Sequence, residues 1–182
     1  MGDTRLILSR ELVYEPKHAR PDNSTRTNTT GVAVLLDNIR SAWNVGSILR
    51  SADGFGFAHA YLCGITSTPD IEAVTKTALG AEASVPWSYH KDAVKLVKGL
   101  KKEGWKIWAL EECDGAKDIR MNAEVGMLNN NKAVLIAGSE VTGVDPELLE
   151  LCDEIFYIPM RGEKKSFNVA MAFSIAAYAL NG

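Results

Sequence analysis

Short apolar runs alternate with amphipathic segments along most of the chain. From Gly31 onward, runs of strand length recur in "GVAVLLD", "AYLCG", "SVPWSY", "WKIWALE", "KAVLIAG" and "EIFYIPM". Segments with helical spacing of apolar positions lie between them, for example "SAWNVGSILRSADGFG" and "KDAVKLVKGLKKEG". Continuous apolar strands separated by helices are typical of a sheet that is covered on both faces. The pattern predicts an α/β fold, with a mainly parallel sheet and helices on both faces.

The first 30 residues have a different composition from the rest. They end in "HARPDNSTRTNTT", a polar segment that buries little apolar surface. We therefore expect residues 1–30 to form an arm or linker, in which "RLIL" is able to dock as a strand, and residues 31–182 to form one domain. Within that domain, residues 113–131 have no regular pattern, whereas "PELLELC" and the C-terminal apolar run predict helices.

Composition narrows the classes of protein to which the chain can belong. A chain of 182 residues with 46% apolar residues can build one ordinary core, and its formal charge of −3 means that any anion site is local. Its three cysteines and three histidines are widely spaced, which favours reduced thiols in a cytoplasmic protein and no metal site. The apolar run at 167–180 is too short to span a membrane.

Three loops stand out as a candidate ligand site. In parallel sheets, ligands bind beyond the carboxyl ends of the strands. The segments that follow predicted strands and carry polar residues there are "DNIRSAWNVGSILR", "GSEVTGVD" and "PMRGEKKSFN". Common phosphate and nucleophile motifs do not fit: the glycines of "DGFGFAH" follow a helix, "GEKKS" is an incomplete phosphate loop, and GxSxG is absent.

Several residues of these loops have both a functional and a structural interpretation. Arg50 is either a binding group or an exposed helix charge. Glu140, between Gly138 and Gly143, either approaches a ligand or caps the helix at Pro146. Ser166 is a natural N-cap for the terminal helix. The basic residues before that helix either contact phosphate or form a solvated loop; they are Arg161, Lys164 and Lys165.

Together, "NIRSAWNVGSILRSADGFG", "GSEVTGVD" and "IPMRGEKKSFNVAMAFSIAAYAL" resemble the three ordered motifs of the SpoU family. Its members are RNA ribose 2′-O-methyltransferases of the SPOUT superfamily. The resemblance covers residues 31–182. It implies a C-terminal trefoil knot, S-adenosylmethionine as cofactor, a tRNA or rRNA substrate, and a homodimer in which two subunits complete the active site.

The resemblance also implies roles for individual residues. Arg50 is expected to clamp RNA phosphate and stabilise the developing alkoxide, with Glu140 orienting it, because a guanidinium stays protonated. A role of Arg50 as general base stays open. The catalytic positions are Asn44, Arg50, Glu140 and Asn168. The cofactor-binding positions are Leu110, Glu111, Gly138, Ser139, Ile158, Met160, Ser166 and Phe167. The RNA-binding positions are Arg50, Arg161, Lys164 and Lys165.

The C-terminal apolar run also predicts how the chain assembles. The run at 167–180 is apolar almost all round, more than one sheet face needs, which favours a homodimer.

One alternative function is a non-catalytic RNA-binding protein that keeps the methyltransferase fold. The other is an enzyme that uses the same cleft for a small molecule.

Overall fold

The computed structural model describes residues 31–121 and 132–181. The predicted arm at 1–30 and most of the irregular stretch at 113–131 therefore lie outside the described residues. Within the described part, seven strands form one sheet in the order β3-β2-β1-β6-β4-β7-β5. The strands are β1 (Val32–Asp37), β2 (His59–Cys63), β3 (Trp87–His90), β4 (Lys106–Leu110), β5 (Lys117–Asp118), β6 (Ala133–Ala137) and β7 (Glu154–Tyr157).

All six strand pairings in the described residues are parallel, and helices pack on both faces of the sheet. The helices are α1 (Ala42–Gly54), α2 (Glu72–Ala78), α3 (Ala81–Ser84), α4 (Ala93–Lys102), α5 (Pro146–Leu151) and α6 (Val169–Asn181). Alternate residues of β1 enter two different cores: Val34 packs with Ile48 of α1 and Phe173 of α6, and Leu35 packs with Val97 of α4 and Leu148 of α5. The predicted α/β class and parallel sheet are confirmed.

The sheet register brings the ends of four strands together. Leu36 of β1 and Leu110 of β4 both lie opposite Ala137 of β6, and Leu110 also lies opposite Phe156 of β7. The segments that follow β1, β4, β6 and β7 therefore leave the sheet side by side. This edge holds the loops in which the candidate site was predicted.

Three local features differ from the sequence-based expectations. The short helix α3 and strand β5 lie in segments that showed no pattern of their own. The terminal helix begins at Val169, after Asn168 and not after Ser166. Asn168 caps it, because its Oδ1 accepts the Ala170 N–H at 2.9 Å and its carbonyl accepts the Ala172 N–H at 2.8 Å.

Helices α1 and α6 run parallel and in contact. Asn44 bonds Asn168, and Ser51 bonds Ser174 at 2.8 Å. Further along, the rings of Phe55 and Tyr178 pack edge to face with centroids 6.4 Å apart. The outer surface of this helix pair carries large exposed apolar side chains, namely Trp43, Met171, Ile175 and Tyr178. None of the helices in the described residues is long and apolar enough to cross a membrane.

Candidate active site

A cleft of about 420 Å³ opens at the strand ends, between the loops that follow β4, β6 and β7. Its walls include all eight predicted cofactor positions: Leu110, Glu111, Gly138, Ser139, Ile158, Met160, Ser166 and Phe167. Two of the predicted catalytic residues, Glu140 and Asn168, also line it. The structure thus gathers residues from distant parts of the chain into one cavity of a size typical of small-molecule sites.

Glu140 holds the loop after β1 against the loop after β6. Its carboxylate accepts hydrogen bonds from the Arg40 N–H at 2.8 Å, the Ser41 N–H at 3.0 Å and the Asn44 side-chain amide at 2.8 Å. Burial raises the pKa of this carboxyl, but the hydrogen bonds from Arg40, Asn44 and Ser41 outweigh burial and lower the pKa below its ordinary value. Glu140 is therefore an ionised acceptor at neutral pH. The helix at Pro146 is capped by Asp145 instead, whose carboxylate accepts the Glu147 N–H at 2.8 Å.

A chain of side-chain hydrogen bonds joins all three motif segments. The Asn44 amide donates to Glu140, and the Asn44 Oδ1 accepts from the Asn168 amide at 3.1 Å. Because Asn168 also caps α6, the start of that helix is fixed relative to α1 and to the loop after β6. The spacing of the motifs along the sequence gave no indication of this order of contacts.

The loop after β6 is closed at its base by backbone contacts. Ser139 and Gly143 exchange two backbone hydrogen bonds, at 3.0 and 2.9 Å. A Cβ at Gly138 would overlap the backbone of Gly143 and Val144, and Gly143 itself has a φ of +72°. Only glycine suits this close approach and this left-handed conformation.

Arg50 lies outside the cleft. It is exposed, in the second half of α1, and within the described residues it has no hydrogen bond or ion pair. Within the described residues Glu140 and Arg50 make no contact, because the Glu140 carboxylate bonds the loop amides and Asn44. Asn44 is near the start of the same helix, six positions before Arg50.

The three basic residues before α6 divide into two groups. All three are exposed, but Lys165 lines the cleft, whereas Arg161 and Lys164 are not part of its lining. The resemblance implies an RNA-binding role for all three. Residue spacing does not separate them, because in an irregular loop the direction of a side chain follows from backbone geometry.

Other lining residues were missed at the sequence level. They include Glu112, Val141, Thr142 and Tyr157, which neighbour predicted positions but lack a distinctive pattern. Among the residues that the structure describes, no group of three or more His, Cys, Asp or Glu side chains could hold a metal ion.

Comparison with known proteins gives a consistent result. The model of the SpoU rRNA Methylase family matches residues 31–178. The chain is similar to a tRNA (guanosine(18)-2′-O)-methyltransferase of Thermus thermophilus, with 27% identity over 164 residues, 90% of this chain and 81% of that protein. It is also similar to the 23S rRNA (guanosine(2553)-2′-O)-methyltransferase RlmP of Bacillus subtilis, with 29% identity over 85% of this chain and 59% of that protein.

A solved structure shares the fold. It is the SpoU methyltransferase AviRb from Streptomyces viridochromogenes in complex with the cofactor AdoMet. The TM-score is 0.75 and the sequence identity is 22%, over 90% of this chain and 64% of the other.

Proposed function

We propose that this chain, which belongs to the SpoU rRNA Methylase family, transfers a methyl group from S-adenosylmethionine to a ribose 2′-hydroxyl of tRNA or rRNA. The two similar methyltransferases named above act on a tRNA and on 23S rRNA, and both carry guanosine 2′-O in their names. The observation that carries the proposal is the hydrogen-bonded chain Glu140–Asn44–Asn168, which joins three motif segments at the rim of one cleft.

The cleft suits S-adenosylmethionine in size and in chemistry. Leu110, Ile158 and Met160 supply apolar surface, and the loop from Gly138 to Gly143 presents backbone polar groups at close range. When bound, the cofactor supplies an electrophilic methyl carbon on a sulfonium; methyl transfer leaves S-adenosylhomocysteine and releases the proton of the 2′-hydroxyl to solvent. The residues of the cleft bind it, orient it and bring it near the RNA, so that positioning provides a large share of the rate.

Arg50 acts in this proposal as a cation and not as a base. A guanidinium keeps its proton up to a pH of about 12 or above, so it can clamp a phosphate and stabilise the oxygen anion that develops on the ribose. Glu140 fixes the loop after β1, and Asn44 and Asn168 present amides at the rim. Arg161, Lys164 and Lys165 extend the positive charge available to the RNA backbone.

A second copy of the chain completes the site. Arg50 is exposed on α1, on the same face of the helix as Trp43. The adjacent helix α6 exposes Met171, Ile175 and Tyr178. A water-exposed apolar surface on two adjacent helices is a suitable dimer interface. We infer that burying it against a partner brings Arg50 towards the partner's cleft, which accounts for the lack of a hydrogen bond or ion pair at Arg50 among the described residues.

The proposed fold of the C-terminal part is a trefoil knot. The strand order supports it: β6 inserts between β1 and β4, and β7 inserts between β4 and β5. After β7 the chain returns through residues 158–168 to pack α6 against α1. Knots are almost absent from proteins, so general rules of connection did not lead to this threading.

Catalysis is proposed to need no metal. The described residues offer no cluster of metal ligands, and the proposed chemistry uses a donor that is already activated by its positive charge. Binding of S-adenosylhomocysteine, measured by calorimetry in EDTA, should match binding in buffer without chelator. A chelator-dependent loss of binding that zinc or magnesium restores would contradict this part of the proposal.

The function is tested in RNA from cells that lack the protein. Mass spectrometry of the nucleosides of purified tRNA and rRNA should show the loss of one 2′-O-methylated nucleoside. Expression of the wild-type chain should restore it, and expression of the Arg50→Ala variant should not. Unchanged methylation in every RNA, together with RNA binding by the purified protein, would favour the non-catalytic RNA-binding alternative.

A further inference from the structure

The Glu111 side chain contacts the loop that carries Glu140. Glu111 follows β4 directly, and its Oε2 accepts the Val144 N–H at 2.8 Å while its Oε1 accepts the Glu112 N–H at 3.1 Å. The Val144 bond spans 33 residues of sequence. It joins the end of β4 to the far end of the loop after β6, so one carboxylate connects two walls of the cleft.

The Glu111 carboxylate packs closely against the backbone of Gly143. A Cβ on Gly143 would overlap the Glu111 Oε2, and Gly143 also exchanges backbone bonds with Ser139. The loop from Gly138 to Val144 is therefore held at both ends: by the Ser139–Gly143 pair and by Glu111. Glu140 lies in the middle of this loop, where its carboxylate holds Arg40, Ser41 and Asn44.

The geometry points to Glu111 as a positioning residue for the methyl-transfer site, acting through the Val144 amide and the loop to set the place of Glu140. This inference rests on the proposed function for its effect on catalysis, but the contact itself does not depend on that function. A charged acceptor bonded to a backbone N–H makes a stronger hydrogen bond than a neutral one. Replacing the carboxylate by an amide leaves one oxygen acceptor for two N–H donors.

Glu112 provides a matched control. It is the next residue, it has the same side chain, and it lines the same cleft. Its side chain is exposed, and no side-chain hydrogen bond or ion pair involves it within the described residues. Glu111→Gln and Glu112→Gln therefore remove the same charge from the same cleft, and only the first removes one of the two oxygens that accept the Val144 and Glu112 N–H groups.

Hydrogen exchange of the free protein tests the contact directly. In Glu111→Gln, peptides covering 138–145 should exchange faster than in the wild type, while peptides from β1 and α4 and the thermal midpoint change little. Glu112→Gln should exchange like the wild type. Equal exchange in all three proteins, or faster exchange in both variants, would overturn the inference. If Glu111→Gln does not fold, Glu111→Asp, which keeps the charge, takes its place with the same readout.

A double-mutant cycle tests the route through Glu140. Single-turnover methyl transfer in Glu111→Gln should fall by roughly 10- to 100-fold, because a small misplacement of the loop is costly. When Glu111→Gln is added to Glu140→Gln, the rate of methyl transfer should fall little further, because both substitutions disturb the same loop. Fully additive losses would show that Glu111 does not act through Glu140. A wild-type protein without methyl transfer would refute the proposed function, and hydrogen exchange would still decide the role of Glu111.

Discussion

At the scale of single residues, the side chains around the cleft fall into two classes. Glu140, Asn44 and Asn168 have partners inside the chain, and those contacts fix their positions. Arg50 has none among the described residues, and Lys165 reaches the cleft from an exposed loop. Residues of the first class hold the site together, whereas Arg50 and Lys165 are available to RNA, cofactor or a second subunit.

Arg50→Ala should lose methyl transfer far more than cofactor binding. The residue does not line the cleft, so the affinity for S-adenosylmethionine should change little. Loss of a charge contact at the reacting oxygen costs about 10²–10³ in rate, which single-turnover kinetics would measure. Lys76→Ala, which removes an exposed helix cation paired with Glu72, is the control and should keep full activity. Near-normal turnover of Arg50→Ala, or its unfolding, would contradict the proposed role of Arg50 in methyl transfer.

Glu140→Gln should destabilise the protein in a pH-dependent way. The folded-state pKa of Glu140 lies below its ordinary value of 4.5, so its ionised form is favoured by folding. Its contribution to stability is complete above that ordinary value and is lost as the pH falls through the lowered folded-state pKa. The difference in thermal midpoint between wild type and variant should be constant from neutral pH down to mildly acidic pH and then narrow. A difference that grows on acidification would contradict the hydrogen-bonding role of Glu140.

At the scale of elements, the long periodic segments were predictable and the short ones were not. The strands β1, β4, β6 and β7 coincide with apolar runs of the sequence, and parallel strand ends gather at one edge, so the position of the cleft followed from the pattern. The helix α3 and the strand β5 are too short to show periodicity, and β5 exists through its pairing with β7. Likewise, the N-cap of α6 is Asn168 because Ser166 lies in the exposed loop before the helix.

The packing of α1 on α2 depends on one glycine. A Cβ on Gly46 would overlap the Thr77 hydroxyl and the Val74 carbonyl oxygen, and this face of α1 is buried. Gly46→Ala should therefore destabilise the fold by about 1–3 kcal/mol, read from chemical denaturation. Gly99→Ala is the matched control, because Gly99 lies within α4 with no atom within 4 Å of an added Cβ. Gly99→Ala should raise the free energy of unfolding by about 0.4–1 kcal/mol. Equal effects of the two substitutions would refute close packing at Gly46.

At the scale of the whole molecule, the exposed face of α1 and α6 predicts a homodimer that activity requires. Met171 is 56% exposed and Ile175 37% exposed, although both belong to α6, which is rich in apolar residues. The double variant Met171→Glu, Ile175→Glu should be monomeric by light scattering and inactive, because two buried charges are costly at an interface. Ile65→Glu, at an exposed apolar position outside these helices, should remain dimeric and active. An active wild-type monomer would contradict the proposal.

If the cleft directs methyl transfer to a ribose 2′-oxygen, alkaline hydrolysis of labelled RNA reveals the product. Purified protein is incubated with methyl-labelled S-adenosylmethionine and RNA from cells that lack the protein. A 2′-O-methyl group blocks the hydroxyl that drives alkaline cleavage, so it protects the adjacent phosphodiester bond. We expect label in alkali-resistant dinucleotides, and greatly reduced label with Arg50→Ala. Label confined to mononucleotides, which marks methylation of a base, or no label in any RNA would contradict transfer to the ribose.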